Sequence, residues 1–163
     1  MLGREIFFGE DIAELLQENV VSTLNDTDYA LIEFHPTATA DYIAQSLYKV
    51  ENAGYTPVLA HIERYPDLFK NIKMIEQIIE GGAYIQVNAS SVEGRLGGGV
   101  KRQIIKMMKK GLVHFVATDA HSNRSRAPQL EECIRYIEKK LGSDYVKELF
   151  IDNPEKMVHN EYI

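Results

Sequence analysis

Residues 29–34 read YALIEF, a short apolar segment that carries one carboxylate, Glu33, next to its last residue. A β-rich run of this length is typical of a strand whose two faces are both covered, as in a parallel sheet. The chain contains four similar runs: 4–8 (REIFF), 56–61 (TPVLAH), 83–88 (AYIQVN) and 113–118 (VHFVAT). The sequence therefore predicts five strands.

Segments with helical spacing separate these strands from the second one onward. Each segment is followed by a glycine, a common helix stop; the segments are 40–53, 68–80 and 100–110. Glu5, Glu33 and His61 also recur every 28 residues, which is about the length of one β/α unit. We expect one α/β domain over residues 1–163, most simply part of a distorted β/α barrel with about five parallel strands.

The amino-acid composition disfavours several classes of function. The chain has 163 residues, with 18 basic and 24 acidic side chains and a net charge of −6. This acidic balance disfavours binding to nucleic-acid phosphates or to anionic membranes, and no apolar run approaches the length of a transmembrane helix. The single cysteine, Cys133, lies in an amphipathic helical pattern. We interpret Cys133 as core packing in a cytoplasmic protein, because one cysteine cannot form an internal disulfide.

Polar residues stand at or near the C-terminal end of every predicted strand. They are Glu5, Glu33, His61, Asn88, and Asp119 with His121. Reactive groups of β/α barrels collect at this end of the strands, and a carboxylate within an apolar strand needs a cation or hydrogen-bond partners. Three carboxylates and two imidazoles without a thiolate suit Mn²⁺, Fe²⁺ or catalytic Zn²⁺. We expect one metal cluster at one end of the sheet, with the ligands Glu5, Glu33, His61, Asp119 and His121.

Two arginines follow the predicted histidine ligands closely. Arg64 lies three residues after His61, and Arg126 lies five residues after His121. Guanidinium groups beside metal ions suit bidentate contact with a phosphoryl group. Closely spaced metals also activate water for attack on phosphorus. This pattern favours metal-dependent hydrolysis of a phosphate ester, with both arginines as phosphate-binding residues.

Several motifs of the chain resemble a known family over nearly its whole length. They are LNDTDYALIEF, TPVLAHIERYPDLF, YIQVNASS, VHFVATDAHS with RAP downstream, and ELFIDNP. The family is that of the bacterial PHP-type (polymerase and histidinol phosphatase) metal-dependent protein tyrosine phosphatases of capsule and exopolysaccharide biosynthesis. The resemblance implies a distorted β/α barrel, up to three metal ions, usually assigned as manganese, and hydrolysis of phosphotyrosine on the C-terminal tail of a partner tyrosine autokinase.

The same resemblance implies roles for individual residues. Glu5 matches the bridging glutamate of the family, and Glu33 and His61 match two further metal ligands. The TDAH motif supplies the ligand pair Asp119 and His121. Arg64 and Arg126 match the two phosphate-holding arginines.

One family element is absent from the sequence. Family members carry a His-x-His pair on a strand before the one matched by Glu5, and this chain has no His-x-His pair. The chain therefore resembles the C-terminal two thirds of such an enzyme, truncated at its N-terminus. We expect fewer or weaker metal sites, and a homo-oligomer formed through the uncovered strand edge near residues 3–8, or a need for the missing segment in trans.

Three functions follow from these observations. The first is the phosphotyrosine phosphatase of the family. The second is a PHP-type phosphoesterase that acts on a small phosphate monoester. The third is a non-catalytic protein that binds phosphotyrosine or a partner chain.

Overall fold

The computed structural model describes residues 3–120 and 129–163. Its five strands are all parallel and pair in sequence order: β1 (Glu5–Phe7), β2 (Tyr29–Glu33), β3 (Thr56–Leu59), β4 (Tyr84–Asn88) and β5 (Phe115–Ala117). Sequential order is typical of a β/α barrel, because a doubly wound sheet reverses direction at a switch point. The sheet is open, with β1 and β5 as its outer strands. The α/β prediction with five parallel strands is confirmed.

Helices connect the strands and follow the last one. They are α1 (Ile12–Gln17), α2 (Ala40–Asn52), α3 (Pro66–Phe69), α4 (Ile72–Glu80), α5 (Ala89–Glu93), α6 (Gly98–Met108), α7 (Glu131–Leu141), α8 (Ser143–Lys147) and α9 (Asn153–Val158). A π turn, Glu148–Asp152, joins α8 to α9. None of the described helices is long and apolar enough to cross a membrane.

The predicted helix 68–80 is two helices in the structure, α3 and α4. Pro66 starts α3 because its fixed φ suits the first helical position. The side chain of Asn71 then accepts a hydrogen bond from the backbone N–H of Met74 at 3.2 Å and caps α4. Apolar spacing alone did not reveal this break, since both helices present apolar residues to the same core.

The two faces of the sheet have different environments. Along β2, Ala30 and Ile32 are fully buried in the main core, which they share with Ile43 and Leu47 of α2. Tyr29 belongs instead to a second cluster, with Val58, Phe115 and Met157. Because successive side chains of a strand point to opposite faces, Glu33 lies on the same face as Tyr29. We call this second side the inner face.

The inner face is apolar toward the N-terminal ends of the strands. Tyr29 and Tyr84 stack there with ring centroids 5.7 Å apart. The hydroxyl of Tyr29 donates a hydrogen bond to the carbonyl oxygen of Glu161 at 2.6 Å, and the N–H of Ile163 donates to the hydroxyl oxygen of Tyr84 at 2.9 Å. The C-terminal segment thus closes this end of the inner face, and only the opposite end is available for a site on that face of the described structure.

Cys133 lies on α7 and has no exposed surface. It packs in the main core, and burial raises the pKa of its thiol to about 12. A thiol in this environment is protonated at neutral pH and is a poor nucleophile. The structure therefore gives Cys133 a packing role.

His114 joins β5 to β4 just before β5 begins. Its backbone N–H donates to the carbonyl oxygen of Ile85 at 2.9 Å, and its ring Nδ1 accepts from the N–H of Ile85 at 3.1 Å. Burial lowers the pKa of His114 to about 4. The neutral ring is the form that can accept this hydrogen bond.

This environment predicts a pH-dependent contribution to stability. The unfolded chain takes up a proton on His114 near pH 6.5, whereas the folded chain does so only near pH 4, so stability is complete above 6.5 and is lost as the pH falls between these values. We expect His114 to account for about 2 kcal/mol of the loss in free energy of unfolding between pH 7 and pH 5. Urea unfolding of the wild type and of His114→Asn, which keeps an acceptor without titrating, measures this difference. Parallel pH profiles for the two proteins would contradict it.

Candidate metal centre

Glu5, Glu33 and His61 form a compact cluster on the inner face of the sheet. Glu33 ends β2 and His61 follows β3, as predicted, whereas Glu5 is the first residue of β1 and not at its C-terminal end. The Nε2 atom of His61 lies 2.5 Å from Oε1 of Glu5 and 3.2 Å from Oε2 of Glu33. One donor atom from each residue lies within 4.8 Å of the other two, a spacing that allows a shared metal ion. The ring of His61 is buried, while both carboxylates are partly exposed.

The fold dictates how these three side chains meet. Glu5 pairs with Leu31 and Phe7 pairs with Glu33 in the parallel register of β1 and β2, so the side chains of Glu5 and Glu33 both project onto the inner face. His61 follows β3 in a left-handed backbone conformation, with φ of 33°. This conformation is uncommon for a residue with a side chain and costs on the order of 1–3 kcal/mol, which is typical of functional sites.

Tyr65 orients the His61 ring from behind. Its fully buried hydroxyl lies 3.4 Å from Nδ1 of His61 and accepts a hydrogen bond from the backbone N–H of Phe34 at 3.1 Å. Contact at Nδ1 leaves Nε2 directed at the carboxylates. A fixed second nitrogen is the usual arrangement for a histidine that binds a metal through the first one.

The two carboxylates have opposite pKa shifts. The hydrogen bond with His61 lowers the pKa of Glu5 below its usual value. Burial, followed by the charge of Glu5, raises the pKa of Glu33. Bringing two carboxylates together in a partly buried site is costly unless a cation compensates them. The donor set of two carboxylates and one imidazole therefore fits a divalent cation.

Arg64 and Asp119 complete the polar end of the inner face. An Nη atom of Arg64 donates a hydrogen bond to Oδ2 of Asp119. The other Nη lies 3.2 Å from Nε2 of His61 and 4.0 Å from Oε2 of Glu33. Arg64 is about one third exposed, so the guanidinium both contacts the cluster and faces solvent.

A second layer of buried polar groups lies on β4. Gln86 and Asn88 are both 5% exposed, and they share the inner face because they are two residues apart. Oε1 of Gln86 accepts from the backbone N–H of His61 at 2.5 Å, and Nδ2 of Asn88 donates to Oδ2 of Asp119 at 3.1 Å. These two amides thus contact the residues on either side of the cluster.

Glu63, in the turn after His61, is a third buried polar residue and contacts β4. Its Oε1 accepts from the backbone N–H of Asn88 at 2.9 Å, and burial raises the pKa of its carboxyl although Ser91 and Asn88 favour the ionised form. Its Oε2 has no hydrogen-bond partner among the described residues. Glu63 anchors the turn after His61 to β4.

Five of the seven predicted site residues come together in the structure: Glu5, Glu33, His61, Arg64 and Asp119. His121 and Arg126 lie outside the described residues. The ligand and phosphate-binding roles of all seven stay predictions.

Sequence reasoning missed Gln86 and Glu63 and left Asn88 without a role. The signal for Gln86 was available, because a polar residue inside the apolar run AYIQVN requires a partner, as Glu33 does in YALIEF. Glu63 gave no such signal, since an acidic residue in a turn is usually solvated.

An exposed groove with aromatic lining lies beside the C-terminal ends of β1 and β2. It begins directly after Glu33, and its lining includes Phe7, Phe34, His35 and Tyr42. Phe7 is 57% exposed. Phe34 stacks on the ring of Phe8 with centroids 5.1 Å apart, which gives the groove a rigid apolar wall.

Comparison with protein-family models gives a match over residues 1–159 to the family described as capsular polysaccharide synthesis, CpsB/CapC. The tyrosine-protein phosphatase CpsB of Streptococcus pneumoniae is 38% identical over 166 residues, which cover 99% of this chain and 68% of that protein. The tyrosine-protein phosphatase YwqE of Bacillus subtilis is 32% identical and is covered over 63% of its length. The chain thus spans about two thirds of the length of these relatives.

A solved structure shows the same architecture. It comes from work on YwqE of Bacillus subtilis and CpsB of Streptococcus pneumoniae, described as unique metal-dependent tyrosine phosphatases. The TM-score is 0.90 at 32% identity, and the match covers 99% of this chain and 65% of the other. The predicted family and the predicted fold are therefore confirmed. The relatives are named tyrosine-protein phosphatases, and the solved structures are described as metal-dependent, which agrees with the predicted class of enzyme. With this match over nearly its whole length, the chain belongs to the CpsB/CapC family of capsular polysaccharide synthesis.

Proposed function

We propose that this chain hydrolyses phosphotyrosine with the help of bound divalent metal ions. The observation that carries the proposal is the cluster of Glu5, Glu33 and His61 with the guanidinium of Arg64 beside it. A carboxylate and imidazole site binds cations, and an adjacent arginine binds the anionic phosphate that those cations also attract. The names and the metal dependence of its relatives support the same reaction.

The metal ligands that we propose are Glu5, Glu33, His61, Asp119 and His121. Mn²⁺ is the proposed ion, and Fe²⁺ or Zn²⁺ fits the same donor atoms. The intact family is expected to hold up to three ions. When bound, such ions supply activation of water and neutralisation of phosphoryl charge.

The side chains of this protein have separate tasks in this reaction. Arg64 binds the non-bridging phosphate oxygens from the solvent-facing side, and Arg126 is the second proposed phosphate ligand. Tyr65 keeps Nε2 of His61 directed into the cluster. Water attacks phosphorus, the bond from phosphorus to the tyrosine oxygen breaks, and inorganic phosphate and tyrosine are released.

The aromatic groove favours an aryl phosphate over a small monoester. Phe7, which pairs with Glu33 in the sheet, and Tyr42 of α2 expose ring surface in this groove, and aromatic rings pack well against one another. We propose that the tyrosine ring packs on Phe7, the groove residue that shares the inner face with Glu33. We therefore prefer phosphotyrosine to the alternative of a small phosphate monoester.

The proposed substrate is the phosphorylated C-terminal tail of a tyrosine autokinase that regulates capsule or exopolysaccharide synthesis. The capsular family assignment supports this partner. We propose the cytoplasm as the compartment, where a protein with one buried free thiol, Cys133, is stable in the reduced state.

We also propose that the chain associates with a second copy through β1. This strand is one of the two outer strands of the described sheet, and it exposes most of Phe7. An outer strand of the described sheet with an exposed aromatic side chain favours edge pairing.

The proposal predicts metal-dependent turnover. Phosphate release from a phosphotyrosine peptide should stop with a chelator and return with added Mn²⁺, and His61→Ala should lower it at least tenfold because a removed ligand weakens the metal site. Cys133→Ala is the matched control and should keep full activity, since its thiol is protonated and buried. Turnover that survives chelation, or that is lost on alkylation of Cys133, would contradict the metal mechanism. Peptide binding without turnover would instead favour the non-catalytic alternative.

Arg64→Ala should reduce kcat/KM for the phosphotyrosine peptide by about 10-fold to 100-fold, because a hydrogen bond to a charged group contributes roughly 1.5–3 kcal/mol. Arg126→Ala should have a similar effect. Arg135→Ala is the control, since Arg135 lies on α7 and pairs only weakly with Glu131 on the surface. Steady-state kinetics of the three variants decide the matter, and equal losses in all three would show that the arginines have no specific role.

The proposed association through β1 can be tested by measuring the mass of the protein in solution. Light scattering of the wild type should give a mass larger than one chain, and Phe7→Asp should shift it toward the monomer because a charge opposes edge pairing. Tyr48→Asp, on the exposed side of α2, is the control for adding a charge at an exposed aromatic residue. A monodisperse wild-type monomer would refute association through β1.

A further inference from the structure

A hydrogen-bonded chain of two amides crosses the inner face of β4. The backbone N–H of His61 donates to Oε1 of Gln86 at 2.5 Å. Nε2 of Gln86 donates to Oδ1 of Asn88 at 3.0 Å and to the carbonyl oxygen of Val87 at 2.9 Å. Nδ2 of Asn88 then donates to Oδ2 of Asp119 at 3.1 Å. The chain thus runs from His61 to Asp119.

The two ends of this chain fix its direction. His61 offers a backbone N–H, which can only donate, and the carboxylate of Asp119 can only accept. Gln86 must therefore present its oxygen to His61 and its NH₂ to Asn88, and Asn88 must present its NH₂ to Asp119. Reversal of either amide would place two donors or two acceptors against each other in a buried site, at a cost of a lost hydrogen bond.

The residues at both ends have an unusual backbone. His61 has φ of 33° and Asp119 has φ of 51°, both in the left-handed region. Strained residues persist only where their surroundings hold them. The second contact between this turn and β4, from the N–H of Asn88 to Glu63 at 2.9 Å, restrains the His61 side of the chain further.

We infer that Gln86 and Asn88 are positioning residues that set the relative placement of His61 and Asp119 for metal binding. This inference rests on the proposed metal-dependent function. Neither amide needs to touch the metal or the substrate. The two amides act together, as one hydrogen-bonded link between His61 and Asp119, in the way that outer partners of metal ligands commonly do.

Mn²⁺ affinity of the purified chain, measured by titration, is the first readout. Asn88→Leu and Gln86→Met should each weaken Mn²⁺ binding by about 10-fold to 100-fold. The double variant should be no weaker than the worse single variant, because breaking a linked chain twice removes the same linkage. Losses that multiply would overturn the inference, since they would show two independent contributions.

Amide hydrogen exchange of His61 is the second readout and requires no metal. Asn88→Leu does not touch His61, yet it should accelerate exchange of the His61 N–H because Gln86 loses a partner that orients it. Asn153→Leu is the matched control: Asn153 is 2% exposed and donates to the carbonyl oxygen of His114 at 2.9 Å, near the opposite ends of the strands. It should lower stability while leaving Mn²⁺ affinity and His61 exchange unchanged.

The outcomes separate the two levels of the proposal. Wild-type chain that binds Mn²⁺, together with Asn88 and Gln86 variants that match it in both readouts, would overturn the positioning role alone. Wild-type chain that binds no Mn²⁺ would overturn the proposed function and this inference together. If Asn88→Leu fails to fold, Asn88→Ser provides a milder break in the chain, and wild-type behaviour of that variant in both readouts would equally overturn the positioning role.

Discussion

Repulsion between carboxylates is the constraint on which the site depends. Glu5 and Glu33 project onto one face from adjacent parallel strands, and Asp119 joins the same end of the sheet. In the structure, His61 and Arg64 lie among these carboxylates and supply the polar hydrogens that compensate them. Their compensation is partial, because burial and the neighbouring charge still raise the pKa of Glu33. A divalent cation, as proposed for this site, would remove the remaining cost.

The inner face is apolar at one end of the strands and polar at the other, and the alternation of side chains along each strand produces both parts. Toward the N-terminal ends of the strands it carries Tyr29, Val58 and Phe115, which bury apolar surface. Toward the C-terminal ends the same alternation delivers Glu33 and Asn88, whose polar atoms need partners. The apolar part excludes water from the N-terminal side of the polar groups. The lower effective dielectric there strengthens the electrostatic interactions at the C-terminal ends of the strands.

Most of the fold could be predicted from the sequence because its signals are local. Each apolar run and each following glycine marks a boundary within a few residues, and parallel order follows from the alternation with helices. The division between α3 and α4 could not, since Asn71 as a helix cap has the same sequence appearance as a surface asparagine. Glu33 was predictable for a physical reason, because a carboxylate between Ile32 and Phe34 has no local partner.

The connections within the site were less accessible to sequence reasoning. The link from His61 through Gln86 and Asn88 to Asp119 joins residues from three β/α units, and nothing local in any one of them indicates the other two. The sequence also does not indicate the left-handed backbone conformation of His61, because histidine has no strong preference for that conformation. Long-range hydrogen bonds of this kind emerge only once the register of the strands is known.

The sequential order of the five strands also has a consequence for folding. Glu5, Glu33, His61, Asn88 and Asp119 come from five successive units, one from each strand or from the turn after it. No subset of neighbouring units contains the whole constellation, so the site exists only after the entire described sheet has assembled. Any ion that binds there shifts the folding equilibrium of all five units at once through mass action. The fraction of chains with an ion bound at this centre therefore measures the fraction in which all five units are folded together.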